Sequence, residues 1–329
     1  MAKEYGRWRN VGSLGEGGQA RLFLVEDSKG EHRGRYVLKR LLNRGRLDLF
    51  EREVRAMEAV RHRHVLRIID YDVTGDPAYY VAEYCEGGTL DDKIARYRGA
   101  FAAAVDVLLP IVDALQVAAA ARVVHRDVKP SNILFRANGE PVLGDFGICH
   151  MPGDGRVTLT EAAMGSRQYI APEMEAGQRG PVTSAVDVYA LGKALYAMGS
   201  GGSIFDRENH RAANLYLPRI FGDGRWEHVH GLLDGMVVAD PAARIPIQLL
   251  PQRLEQTVYL MEGGYAPLRP SSDITCRFCG LGVYRRHEMV RGFANNLRLQ
   301  NPRALRCPHC GHIEVFDSEG IADAGWWDR

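Results

Sequence analysis

Residues 47–60 set Leu47, Phe50, Val54, Met57 and Val60 at intervals of three and four, which predicts an amphipathic helix. Ahead of it, residues 11–40 alternate apolar and polar positions around a glycine cluster, as twisted strands joined by a tight turn do. The runs 65-VLRIIDYDV-73 and 78-AYYVAEY-84 read as two further strands. Beyond Gly87 and Gly88 the period becomes mainly helical, with short strands expected around 132–135 and 141–144. Strands first and helices second predict an α+β chain with two lobes.

The most apolar window, 100–124, is interrupted by Asp106, Pro110, Asp113 and Gln116, so it predicts a mostly buried helix rather than a membrane span. Residues 262–273 are rich in Gly, Pro and Ser and read as a linker. A small cysteine-bearing module and a tail ending in Trp326 and Trp327 follow it. The opening MAKEYGRWRN is polar and does not predict a secretory signal. With 329 residues the chain is long enough for one large domain and a small one. A net charge of +1 gives the whole chain no electrostatic bias toward nucleic acid or a membrane.

Candidate chemistry concentrates in 122-RVVHRDVKPSNILF-135, a polar cluster clamped between apolar flanks. Upstream, 14-LGEGGQARLFLV-25 offers Gly15, Gly17 and Gly18, whose backbone amides can approach phosphate oxygens. Taken alone, that loop is equally a plain turn between strands, and Ala20 stands where a third glycine would complete the pattern. Lys39 ends an apolar strand and Glu53 lies fourteen residues on, in the amphipathic helix. They could pair to aim the lysine at phosphates, or be two unrelated surface charges. In 125-HRDVKPSN-132, followed by 144-GDFG-147, Asp127 can accept a hydroxyl proton and Lys129 can offset charge on a phosphoryl group. Asn132 and Asp145 supply hard oxygens suited to Mg²⁺.

With these motifs in this order, the chain resembles the protein kinase family over about residues 8–255. The resemblance extends to 83-EYCEGG-88 as a hinge, 171-APE-173, 187-DVYALG-192 and 240-DPAAR-244. It implies a bilobal fold, with an N-lobe over 1–84 and a C-lobe over 85–261. It implies ATP bound with Mg²⁺ (or Mn²⁺), Lys39 on the phosphates and anchored by Glu53, and Asp127 as catalytic base. Glu83 and Cys85 would offer backbone groups to adenine, Asp187 would brace the catalytic loop, and Glu173 would pair with Arg244. Lys129 and 165-GSRQYIAPE-173, with Ser166 in place of the more usual Thr, resemble the serine/threonine class, so a protein serine or threonine is the expected substrate. Arg126 would read a phosphate on the activation segment, with Thr158 and Thr160 as candidates unless they are unmodified loop hydroxyls. The two-threonine loop and 15-GEGGQ-19 resemble bacterial kinases. Alignment of the hinge places Ala82 at the gatekeeper position, and with Gly144 it predicts an enlarged pocket behind adenine.

Four cysteines form two pairs, 276-CRFC-279 and 307-CPHC-310, each followed by glycine. Without an export signal a reducing cytoplasm is expected, where such pairs hold metal more often than they form disulfides. Cys276, Cys279, Cys307 and Cys310 suit a tetrahedral structural Zn²⁺ site, so 274–318 reads as a zinc ribbon and 319–329 as its tail. Four thiolates complete the site, which leaves His287, His309 and His312 as surface or packing residues. From Cys276 to His312, seven arginines stand against one acid, Glu288. This is either a solvated or docking face or a surface for an acidic or phosphorylated partner, with nucleic acid a weaker candidate. Two other readings of the whole chain stay open: a pseudokinase scaffold acting through the ribbon, and a small-molecule transferase on the kinase fold.

Overall fold

The computed structural model describes residues 4–16, 20–146, 168–175 and 182–262, together with the backbone of three strands at 285–287, 303–306 and 313–316. The chain divides into two compact units, Met1–Val258 and Tyr259–Arg329.

The first unit opens with an antiparallel sheet of six strands: β1 (Glu4–Tyr5), β2 (Trp8–Glu16), β3 (Ala20–Asp27), β4 (Tyr36–Leu41), β5 (Ile68–Asp72) and β6 (Tyr79–Glu83), in the order β1-β2-β3-β4-β6-β5. The helix α1 (Leu47–Ala59) occupies the predicted span and buries Phe50, Glu53, Val54, Ala56 and Met57. Successive side chains of a strand point to opposite faces. On one face Phe23 and Val25 of β3, Leu38 of β4, and Tyr79 and Val81 of β6 form a core with Tyr5 and Trp8. The alternate positions Leu22, Val37, Lys39, Tyr80 and Ala82 line a cavity on the other face.

The polar N-terminus contributes more than its sequence suggests. β1 pairs with β2, and the Trp8 indole is fully buried, its N–H donating to Asp70 at 2.7 Å. A two-residue strand is too short to leave a periodic signal.

The remainder of this unit is mainly helical: α2 (Phe101–Ala120), the short hairpin β7 (Ile133–Phe135) and β8 (Pro141–Leu143), α3 (Ala185–Ser200), α4 (Leu217–Phe221), α5 (Glu227–Met236) and α6 (Leu250–Met261). α2 is long and apolar enough to cross a bilayer, yet it packs on α3 and β8 as a core helix, and its Gln116 amide donates to the Ile247 carbonyl at 2.9 Å. From Val186 to Ser200 every residue of α3 is buried, which puts this helix at the centre of the lobe.

Residues after β6 run back against β7. The Gly87 N–H donates to the Phe135 carbonyl at 2.8 Å, and a Cβ on Gly87 would lie 2.7 Å from that same oxygen. Glycine is therefore required for this close approach.

The second unit contains β9 (Arg285–His287), β10 (Arg303–Arg306) and β11 (Ile313–Phe316), antiparallel with β10 central and Arg306 opposite both Arg285 and Ile313. The four paired cysteines, with His309, His312 and Cys149, lie outside the described residues, and so does the expected linker beyond Glu262.

Candidate active site

Strand register assembles one wall of the site. Leu22 stands opposite Lys39, and Lys39 opposite Tyr80, so three side chains form a row across β3, β4 and β6. The Lys39 ammonium donates to Glu53 at 2.6 Å and to Asp145 at 3.1 Å. The sequence-predicted Lys39–Glu53 pair therefore forms, and Asp145, 106 residues from Lys39, completes a triad. Burial opposes the lysine's charge, but the Asp145 and Glu53 carboxylates outweigh it and hold the ammonium well above its usual range. The same ammonium holds the Asp145 carboxyl well below the ordinary carboxylate range. Glu53 moves the other way, pushed up by burial against the pull of Lys39.

The opposite wall comes from the polar loop before β7. Lys129 donates to Asp127 Oδ2 at 2.7 Å. The Asn132 amide donates to the same oxygen at 3.0 Å and to the Asp127 backbone carbonyl at 2.8 Å. The Asp127 N–H donates to His125 Nδ1 at 3.2 Å, so the ring proton sits on Nε2 and donates to the Gly144 carbonyl at 3.0 Å. Beneath the loop, buried Asp187 accepts from the backbone N–H groups of His125 at 3.1 Å and Arg126 at 2.8 Å. Burial pushes the Asp187 carboxyl up, against these hydrogen bonds. Arg126 and Asp145 hold positive φ angles of 70° and 59°. Such conformations cost about 1–3 kcal/mol each in non-glycine residues and persist where the surroundings over-determine them. The Asp187 bracket and the Lys39 contact do so here.

Between the walls lies a cavity of about 720 Å³ lined by Gly15, Val37, Ala82, Glu83, Cys85 and Leu134 among others. Ala82 presents only a methyl group to it. A Cβ on Gly144 would come within 3.1 Å of Leu134 and 3.4 Å of Leu66, so this residue keeps the cavity floor open. Cys85 is buried, and burial, then the nearby Glu83 carboxylate, push its thiol up to about 12.

The donor set suits a hard divalent cation. The Asn132 amide binds Asp127 through its nitrogen, and Asn132 and Asp145 line the same cavity, each with a hard side-chain oxygen. Among the described residues no cluster of three or more His, Cys, Asp or Glu forms a metal cage. A cation here would complete its shell with phosphate oxygens and water.

Two contributors escaped the sequence. Arg136 clamps the Glu83 carboxylate at 2.9 and 2.8 Å, tying the end of β6 to the segment after β7. The Tyr80 hydroxyl donates to Glu53 at 2.8 Å. The expected Glu173–Arg244 pair forms, at 2.6 and 2.7 Å. Gly17, Gly18, Gly147, Thr158, Thr160 and Ser166 lie outside the described residues.

The family model of the protein kinase domain matches residues 8–251. The chain belongs to the protein kinase domain family. It is 35% identical over 201 residues to a protein called serine/threonine-protein kinases drp72 from Corynebacterium efficiens, covering 57% of this chain and 38% of that one. It is 29% identical over 246 residues to human serine/threonine-protein kinase H1, covering 70% and 57%. It is 32% identical over 214 residues to serine/threonine-protein kinase PrkC of Bacillus subtilis, covering 62% and 32%. The chain thus spans between about a third and just over half the length of these curated relatives. The kinase domain match ends before the cysteine pairs, which begin at Cys276.

Proposed function

We propose that this protein is an ATP-dependent protein serine/threonine kinase of the cytoplasm whose C-terminal cysteines hold a structural zinc. The observation that carries the first part is that Lys39, Asn132 and Asp145 line one cavity, with Glu53 bonded to Lys39 and Asp127 bonded to both Asn132 and Lys129. Asn132 and Asp145 would hold Mg²⁺, which when bound offsets charge on phosphate oxygens. Lys39, kept charged and aimed by Glu53, anchors the phosphates. Lys129 and Asn132 occupy Asp127 Oδ2, which leaves Oδ1 to orient a serine or threonine hydroxyl and take its proton as the oxygen bonds to the γ-phosphorus, the bond from that phosphorus to the β–γ bridging oxygen breaks and ADP leaves. Lys129 sits close enough to disperse the charge that develops. Arg126 would answer to phosphate on Thr158 or Thr160, which makes the activation segment a target of autophosphorylation.

The zinc reading rests on the cysteine spacing and on where strands fall between the pairs. Cys276 and Cys279 precede β9, while Cys307 and Cys310 fall in the connection between β10 and β11. A module this small gains much of its folding free energy from metal. Its arginines suit an acidic or phosphorylated protein partner.

The test is Mg-ATP autophosphorylation of the purified chain beside Asp127→Asn, with phosphosites mapped by mass spectrometry. Phosphate on Thr158 or Thr160 in wild type alone supports the kinase reading and its autophosphorylated activation segment, and no incorporation in either removes autophosphorylation and leaves a scaffold or a kinase that needs a partner. Zinc is read separately, by elemental analysis: one equivalent per chain is expected, and a metal-free protein with intact thiols refutes the ribbon.

A further inference from the structure

We propose that Tyr80 is a positioning residue of the phosphate-anchoring site, a polar brace that holds Glu53, and with it α1, against Lys39. The proposal rests on the kinase reading above and deepens it.

Tyr80 sits directly opposite Lys39 across β4 and β6, on the face that lines the cavity. Its hydroxyl donates to Glu53 Oε1 at 2.8 Å, the oxygen that also accepts Lys39 at 2.6 Å. Its ring stacks on Phe50 of α1 with centroids 5.4 Å apart, and the Lys39 ammonium lies 5.6 Å from the ring centre. Tyr80 is 4% exposed and Glu53 3%, so neither group exchanges this bond for water. Ala82, two positions on and on the same face, is too short to reach α1. The span from β6 to the helix therefore falls to Tyr80, which grips α1 twice, through Phe50 and through Glu53.

The brace has an electrostatic consequence. Glu53 is faced by Lys39 from β4, by Tyr80 from β6 and by the Asp145 carboxylate after β8. Burial and Asp145 favour its neutral form, while Lys39 and the Tyr80 hydroxyl favour the carboxylate. Removing the hydroxyl takes away one of two donors that keep Glu53 charged. A neutral Glu53 holds Lys39 less firmly, and the lysine then settles on Asp145. Both phosphate anchoring and cation binding weaken together.

The test is Tyr80→Phe in the full chain, which keeps the ring and its packing on Phe50. Mg-ADP affinity is measured by calorimetry, and phosphoryl transfer to casein is followed against ATP concentration from pH 5 to 9. We expect a melting temperature lowered by a few degrees at most, an affinity reduced on the order of tenfold at neutral pH, and an acid limb moved to higher pH. In a Glu53→Gln background the same substitution is expected to add almost nothing. A wild-type pH profile in Tyr80→Phe overturns the proposal, as does a full tenfold loss in the Glu53→Gln background. A lowered melting temperature with the acid limb unmoved assigns Tyr80 a packing role and also overturns it. A wild-type chain that neither binds Mg-ADP nor transfers phosphate removes the kinase reading itself, and that outcome is distinct from the other three.

Discussion

Replacing Arg244 with methionine tests how the C-lobe is fastened beneath the site. The Arg244 side chain is fully buried and that of Glu173 is 9% exposed. The guanidinium donates twice to Glu173, at 2.6 and 2.7 Å, and once each to the carbonyls of Val238, Ala185 and Ala239, at 2.9, 2.9 and 3.1 Å. Its plane also lies over the Tyr189 ring, 4.9 Å from the centroid. Arg244→Met fills much of the volume but strands a buried carboxylate and three carbonyl groups. Breaking a buried pair from one side costs about 3–5 kcal/mol, because the remaining charge stays desolvated. In a domain of this size each kcal/mol moves the melting temperature by roughly 2–4 °C, so a fall of roughly 10 °C is expected. Differential scanning calorimetry measures it. The control is Arg207→Met: Arg207 pairs with Glu175 at 2.9 Å, but both side chains are about half exposed, and the shift there is expected to be barely measurable. Adding Glu173→Gln to Arg244→Met is expected to recover part of the loss, since it removes the stranded charge. The reasoning is refuted if Arg244→Met costs no more than Arg207→Met, or if the double variant is weaker than the single by a further full increment.

Stability is expected to fall on acidification through one buried histidine pair. The Leu217 N–H donates to His230 Nε2 at 2.9 Å, so the His230 proton lies on Nδ1 and points at His210 Nδ1, 2.7 Å away. Burial, then the facing His210, lower His230 from the usual 6.5 to about 4, against weaker pulls from Glu227 and Asp234. The unfolded chain binds this proton first, so stability is full above about pH 6.5 and declines toward pH 4, by on the order of 3 kcal/mol. Urea midpoints at pH 7.5 and 5 measure the decline, and an equal decline in His230→Gln refutes the assignment. Cys85, its thiol pushed up to about 12, is expected to resist iodoacetamide at pH 7, and rapid labelling seen by mass spectrometry would contradict that. Ala82→Met is expected to weaken a bulky purine inhibitor roughly 10–100-fold while KM for ATP stays nearly constant. Equal inhibitor affinity in both proteins removes the enlarged-pocket reading.

The elements legible in the sequence are those whose signal repeats. α1 spans Leu47–Ala59 against a predicted 47–60 because apolar residues recur at helical spacing, and Phe50, Val54 and Met57 of that pattern are buried. β3, β4 and β6 were legible because two-residue alternation sorts Phe23, Leu38 and Val81 from Leu22, Lys39 and Ala82. β1 was not, since two residues carry no period, and it forms by pairing Tyr5 with Trp8, the first residue of β2, whose indole reaches Asp70, sixty-two positions away.

The site divides along the same line. Asp127, Lys129 and Asn132 stand within six residues, so their joint chemistry is visible before any folding. Lys39, Glu53 and Asp145 were candidates one by one, but only a resemblance that pairs distant motifs joined them, because the 106 residues from Lys39 to Asp145 carry no local mark of a 3.1 Å contact. Tyr80 and Arg136 had neither aid. In 78-AYYVAEY-84, Tyr79 and Tyr80 are the same residue type, yet one packs in the core and the other serves the site. Strand parity puts them on opposite faces, but it does not say which face meets α1. That assignment is made when α1 packs on the cavity side and brings Phe50 and Glu53 to within reach of the Tyr80 ring and hydroxyl. A residue that acts through a partner thus becomes identifiable once the partner's position is known, and this is why the brace on Glu53 had to be read from the fold.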